Sequence, residues 1–227
     1  MDPLSTASVQ DNTLRNNDDK EVANSSTLSA SQLFFATFKH MKKPYQLLII
    51  PLTFWGGVEQ GFFGADYTAG YISCIIGVQN VGYVFITYGV CDAICSIAFG
   101  VVTKYVGRVP IYLLGAIINV VVIVVLLYWA PDPSQAYVLY LCAALWGVAD
   151  AIWQTQINAF YGIIFKNDVE AAFSNYKLWE SLGFIFAYIL QTQVCIHVKL
   201  WMLLAILLPG MIGYLAIELH IFRNNKL

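Results

Sequence analysis

Five ionisable side chains, Glu59, Asp92, Asp150, Lys177 and Glu180, stand inside long apolar stretches of a 227-residue chain. At the centre of a membrane helix each costs about 2.5 to 3.5 kcal/mol, so each needs a partner or a use. Asp150, Gln154 and Asn158 recur every four residues with Trp146 one turn earlier, which puts them in one stripe of a helix. Two chemistries fit that stripe. It can line a path for a proton, an ion or a polar substrate, or it can hydrogen-bond neighbouring helices, each bond contributing about 0.6 to 2 kcal/mol. The second is the simpler reading. Lys177 and Glu180, three residues apart, can pair on their own helix, or Lys177 can snorkel toward the interface. Glu218 lies close enough to the end of the last apolar run to reach the interface unaided.

Other chemistries lack their residues. The three histidines (His40, His197, His220) are scattered, and there is no P-loop, no dinucleotide glycine fingerprint and no His/Cys set at metal spacing. No catalysis, metal or cofactor is expected. A net charge of −2 offers no basic surface to nucleic acid. The chain is 59% hydrophobic and only 11% charged, with a mean hydropathy of +0.64, which excludes an ordinary soluble domain and points to a lipid bilayer. Five cysteines are too few for a disulfide scaffold. Cys91, Cys95 and Cys142 read as packing residues, and a bond between Cys74 and Cys195 is left open.

The elements that must position the polar groups are long apolar helices. Residues 1–38 read as a solvated, disordered cytoplasmic tail, 39–222 as a six-helix membrane domain and 223–227 as a second short tail. Spans are placed at about 44–64, 83–103, 110–130, 137–164, 172–193 and 200–221, since ~20 helical residues rise ~30 Å, the thickness of the hydrocarbon core. Residues 67–82 are assigned either to an extension of the second helix or to the interface. Lys39, Lys42, Lys43, Lys104, Arg108, Lys166, Arg223 and Lys226 fall on one side of this topology, while the opposite loops hold Asp66, Asp132, His197 and Lys199. By the positive-inside rule both termini are cytoplasmic. The sequon at Asn24 is then on the wrong side for glycosylation.

Spans three and six carry no ionisable group at mid-helix, so both are expected to face lipid. Trp55-Gly56-Gly57-Val58-Glu59 in span one recurs as Trp146-Gly147-Val148-Ala149-Asp150 in span four. Two three-helix units related in this way run in opposite directions, the inverted repeat of many transporter folds. Gly57 and Gly61 offer a close-packing face. The polar groups of spans one, two, four and five are expected to face one another, and their exposed side to require a second membrane protein.

Three stretches carry a resemblance. The loop Gly100-Val-Val-Thr-Lys104-Tyr-Val-Gly107-Arg108-Val resembles the G-x-x-x-D-R-x-G-R-R loop of the major facilitator superfamily, with Lys104 where that superfamily has an Asp. Residues 144–162, around Asp150 and Asn158, and residues 170–184, around Lys177 and Glu180, closely resemble the uncoordinated-93-like family. The resemblance implies an all-α membrane protein whose six-helix bundle corresponds to the C-terminal half of a major-facilitator fold, with two inverted three-helix repeats. It implies a regulatory or escort subunit at the plasma membrane, foremost a potassium-channel regulator. Its partners would be a channel subunit, a trafficked receptor or a separate first-half chain. The alternative is half of a proton- or ion-coupled transporter, a reading weakened by Lys104. The resemblance also makes the chain a half molecule, whether through splicing, truncation or an incomplete gene model.

Overall fold

A computed structural model describes residues 37–130 and 132–224. Most of the expected N-terminal tail, the sequon at Asn24, Lys226 and the end of the C-terminal tail lie outside them. The described residues form helices and turns, with no strand among them. Helix α1, Pro44–Gly61, begins at a proline whose missing N–H costs nothing in a first turn. It runs on without a break into a π-helical stretch, Phe62–Ser73, so residues 67–73 extend the first helix rather than the second. The break falls at Gly77, whose φ of +93° suits glycine, followed by a 3-10 turn Val78–Asn80.

The remaining helices are α2 Val81–Val106, α3 Arg108–Tyr128, α4 Ala136–Ile164, α5 Val169–Leu190 and α6 Ile196–Asn224. Between α2 and α3 stands a single residue, Gly107, at φ +86°. The glycine of the loop motif is therefore what lets two long helices reverse within one residue. Among the described residues, four helical stretches are long and apolar enough to cross a bilayer: 78–106, 108–128, 133–164 and 196–224.

The helices pair in a pattern that repeats. Helix α1 packs along α5 and α6, α4 packs along α2 and α3, α3 touches α6, and α1 touches α4. Exchanging α1 with α4, α2 with α5 and α3 with α6 maps these pairings onto themselves. Glycines set the closest approaches: a Cβ on Gly57 would lie 1.9 Å from the Glu180 carbonyl oxygen of α5, and one on Gly147 would lie 2.3 Å from the Tyr88 carbonyl oxygen of α2. A core of aromatic rings fills the centre, with Trp55, Trp146 and Trp153 buried and Phe62 stacked on Trp146 at 5.6 Å.

The expectation that spans three and six are simply lipid-facing does not hold. Helix α3 buries Ile111, Tyr112, Asn119 and Val122 against α4 and α6. Helix α6 buries Lys199, Leu203, Leu207 and Tyr214. The most exposed helix is α2, of which Val84 alone is buried among the described residues. A helix without an ionisable group at its middle can still pack an apolar stripe inward, and α3 and α6 do so while also burying Asn119 and Lys199.

Candidate functional site

The polar residues singled out in the sequence divide into three networks. In the first, Asp150 of α4 accepts from Gln60 Nε2 of α1 at 3.0 Å and from the Tyr88 hydroxyl of α2. Asp150 is 5% exposed and both donors are neutral. Three helices therefore meet at one carboxylate, because Gly147, one turn earlier on α4, lets α2 come to backbone contact there.

The second network lies one turn along α4. Gln154 Nε2 donates to Glu180 Oε1 of α5 at 3.2 Å, and the Tyr176 hydroxyl lies 3.0 Å from Gln154 Oε1 and 3.1 Å from Glu180 Oε1. Lys177 Nζ donates to Glu180 Oε2 at 2.6 Å and sits 4.4 Å from the Tyr176 ring centroid. The Glu180 side chain is 8% exposed and that of Lys177 is 59% exposed. Lys177 is thus at the edge of the network and Glu180 inside it. Asn158 does not join them; its amide donates to the Gln154 carbonyl of its own helix at 2.6 Å.

The third network was not foreseen as a separate one. Glu59, fully buried, accepts from Asn119 Nδ2 of α3 at 3.3 Å, and Asn119 Oδ1 accepts from Trp153 Nε1 of α4 at 2.7 Å. The two acids of the repeated W-G-x-x-acid pattern therefore point to different neighbours, Glu59 to α3 and Asp150 to α1 and α2. Asp92 of α2 is half-buried and accepts from Ser96 Oγ of its own helix at 3.3 Å. Periodicity could locate the acids and Gln154. The neutral residues that hold them, Gln60, Tyr88, Asn119, Trp153 and Tyr176, carry no sequence signal that sets them apart from packing residues.

An ion pair was missed altogether. Lys199 and Asp66, read as residues of outer loops, lie on α6 and on the π-helical continuation of α1. Lys199 Nζ donates to Asp66 Oδ1 at 2.5 Å and to the Gln191 carbonyl at 2.9 Å, and the two side chains are 7% and 6% exposed. Helix one outlasts its expected end by about two turns, which carries Asp66 into the bundle. Cys74 and Cys195, the cysteines nearest these segments, are free and exposed.

The loop motif lies at the other end of the bundle. Gly100, Lys104 and Gly107 are exposed. Arg108 Nη2 pairs with Glu218 of α6 at 3.1 Å and lies 5.3 Å from the Phe160 ring centroid. Two nearby contacts involve the start of α1: Lys43, just before it, pairs with Asp168 of the α4–α5 loop, and the Tyr45 hydroxyl of α1 lies 2.8 Å from His220 Nδ1 of α6. The Lys43 ammonium, by its hydrogen bond and its charge, holds the Asp168 carboxyl below the usual carboxylate range. No group of His, Cys, Asp and Glu that could hold a metal ion occurs among the described residues.

The exposed Lys177 makes a testable contrast. Glu180 keeps two neutral hydrogen-bond neighbours when Lys177 is lost, so Lys177→Met should cost less than about 1 kcal/mol. Glu180→Ala should cost more, because it leaves Gln154 and Tyr176 without their shared acceptor, at about 1 to 3 kcal/mol. Melting of the two variants in mild detergent measures the difference; equal losses would mean that the lysine is the anchor.

Comparison with known proteins places this arrangement. The family model described as ion channel regulatory protein UNC-93 matches residues 5–215. Protein unc-93 homolog A of Xenopus laevis is 47% identical over 190 residues, covering 84% of this chain and 41% of that protein. The corresponding protein of Danio rerio is 44% identical over 191 residues, with coverage of 84% and 41%. A putative potassium channel regulatory protein unc-93 of Caenorhabditis elegans is 36% identical over 189 residues, covering 83% of this chain and 27% of that protein. The chain spans about two fifths of the length of the unc-93 homolog A proteins it matches.

Proposed function

The chain belongs to the UNC-93 family, and from that premise we propose that it acts as a regulatory subunit of an ion channel, with potassium channels the first class to test. The family match over residues 5–215 carries the reading, and the name of the C. elegans relative selects potassium channels among the alternatives. In this reading all six helices cross the plasma membrane as a major-facilitator-type half with two inverted repeats. The exchange-symmetric pairing of α1–α3 with α4–α6 supports that fold. Both termini are cytoplasmic, a reading supported by the Lys43–Asp168, Arg108–Glu218 and Tyr45–His220 contacts, which gather basic flanks at one end. The protein works by contact, without catalysis or a cofactor.

Co-expression with potassium channels at the plasma membrane tests the function. The expected result is a change in whole-cell current, or in the number of channels at the surface, that requires this chain. Unchanged currents across a panel of channel classes would reject it. The topology has its own check: an impermeant thiol reagent applied outside should reach a cysteine placed at Ser134 and not one placed at Lys42. The transporter reading rests on Asp150, a buried carboxylate held by neutral donors from two other helices. It requires a substrate-dependent flux that Asp150→Asn abolishes. Lys104, where the superfamily has an acid, ranks this reading second.

A further inference from the structure

Between the start of α1 and the loop that joins α4 to α5 lies a cavity of about 470 Å³, within the ~300 to 1,000 Å³ of small-ligand sites. Its lining changes character along its length. Pro44 and Tyr45 open α1 and Ile163 and Ile164 close α4, so part of the lining is apolar where two long apolar helices end. Ile163 is 47% exposed. Beyond the helix ends the lining turns polar, with Lys43, Lys166, Asn167 and Asp168.

The surroundings are basic. Lys39 and Lys42 stand just before Lys43 in the chain; both are exposed, as is Lys166, and none of these three has an acidic partner among the described residues. The acids nearby are Asp168 and Glu170 of the first turn of α5. The lysines are not on a loose tail. Asn175 Nδ2 of α5 donates to the Thr37 carbonyl at 2.8 Å, and the buried His40 ring packs edge-on against Phe165 with centroids 4.6 Å apart. These contacts dock the segment before α1 onto the α4–α5 loop and hold its charges beside the cavity. The Lys43–Asp168 pair has side chains 43% and 49% exposed, so it contributes little by itself, and its hydrogen bond uses one of three ammonium protons.

We propose that this cavity seats the headgroup of a phosphoinositide of the cytoplasmic leaflet, with its phosphates among Lys42, Lys43 and Lys166 and its acyl chains leaving past Ile163. The charge balance selects the headgroup. Four lysines with two acids leave an excess that a phosphate monoester matches, since it carries about 1.5 to 2 negative charges and three acceptor oxygens. The lining selects a lipid over a soluble anion, because Pro44, Tyr45, Ile163 and Ile164 give an acyl chain an apolar path beneath the charges. Lysines just cytoplasmic of a membrane helix meet the acidic lipids of that leaflet. The proposal rests on the reading that this end of the bundle is cytoplasmic, and the labelling at Ser134 and Lys42 tests that reading separately.

Native mass spectrometry of the purified full chain in detergent tests the site without reference to sidedness. The probe is phosphatidylinositol bisphosphate, compared with phosphatidylserine and with soluble inositol trisphosphate. The first lipid should bind at concentrations about tenfold below those phosphatidylserine needs, because its headgroup brings more charge to the lysines. Lys42 and Lys166 are exposed and have no acidic partner to orphan, so Lys42→Gln and Lys166→Gln should fold normally and each raise the half-saturating concentration about fivefold. Lys104→Gln, an exposed lysine at the end of α2, should leave it unchanged. Asp168→Asn should lower it, since the change removes an acid from the lining and releases Lys43; the Asp168 side chain makes no capping bond to α5, so the helix loses nothing. Equal binding of the two lipids, an equal loss in Lys104→Gln, or no gain in Asp168→Asn would overturn the proposal. So would inositol trisphosphate bound as tightly as the lipid, which would assign the cavity to a soluble phosphate.

Discussion

Lys199→Ala is expected to cut the yield of folded protein sharply and to lower its melting temperature in detergent more than any surface substitution. The Asp66 carboxylate and the Lys199 ammonium are almost fully buried together, and Asp66 Oδ2 has no partner of its own. Removing the lysine leaves a carboxylate inside the bundle with neither oxygen satisfied, at a cost of roughly 3 to 5 kcal/mol. Against a total stability on the order of 5 to 15 kcal/mol, that loss decides whether the chain folds. The Gln191 carbonyl also loses its donor, which frees the turn between α5 and α6. Lys199→Met combined with Asp66→Leu should recover most of the loss, because a buried pair replaced by apolar side chains leaves no orphan charge. Singles that cost nothing, or a double variant as damaged as the sum of its singles, would mean that the pair is open to solvent.

How this pair escaped the sequence shows what a sequence of this kind reveals. Long apolar runs mark where helices lie, because backbone groups in lipid must bond within their own helix. Periodicity finds Asp150 and Gln154 as one polar stripe, and the spacing of Lys177 and Glu180 places them as a pair. The end of the first helix was misplaced because residues 62–73 wind on as a π-helix, past the expected end at about 64 and into residues assigned to the second helix or the interface. That one error moved Asp66 out of the bundle, and with it went the reason to bury Lys199. Glu59 and Asp150 share a sequence pattern but not partners, since Asn119 comes from a helix that was read as lipid-facing. A neutral asparagine among valines and isoleucines gives no warning that it holds a buried acid.

Gly57→Ala should be among the most damaging single-methyl additions in the chain, while Gly56→Ala beside it should be harmless. At Gly57 the new Cβ would stand 1.9 Å from the Glu180 carbonyl oxygen and 3.0 Å from the Phe184 nitrogen, both backbone atoms that no rotamer change can move. The reciprocal contact is as tight, with a Cβ on Gly183 lying 2.3 Å from the Phe54 carbonyl oxygen. Helices α1 and α5 must separate to admit the methyl, a cost of about 1 to 3 kcal/mol or more for overpacking. The separation would also shift Glu180 away from Gln154 of α4, so the polar network on that face loosens with it. A Cβ on Gly56 meets nothing within 4 Å, and alanine is the better helix former by about 1 kcal/mol. The internal repeat aligns Gly56 with Gly147, yet Gly147 is the one pressed against a neighbouring backbone, 2.3 Å from the Tyr88 carbonyl oxygen. Gly147→Ala should therefore behave like Gly57→Ala and unlike the position it aligns with. Melting temperatures of the three variants in one detergent decide this: if Gly56→Ala and Gly57→Ala fall together, the two glycines share one environment and the packing of α1 on α5 is not set by this contact.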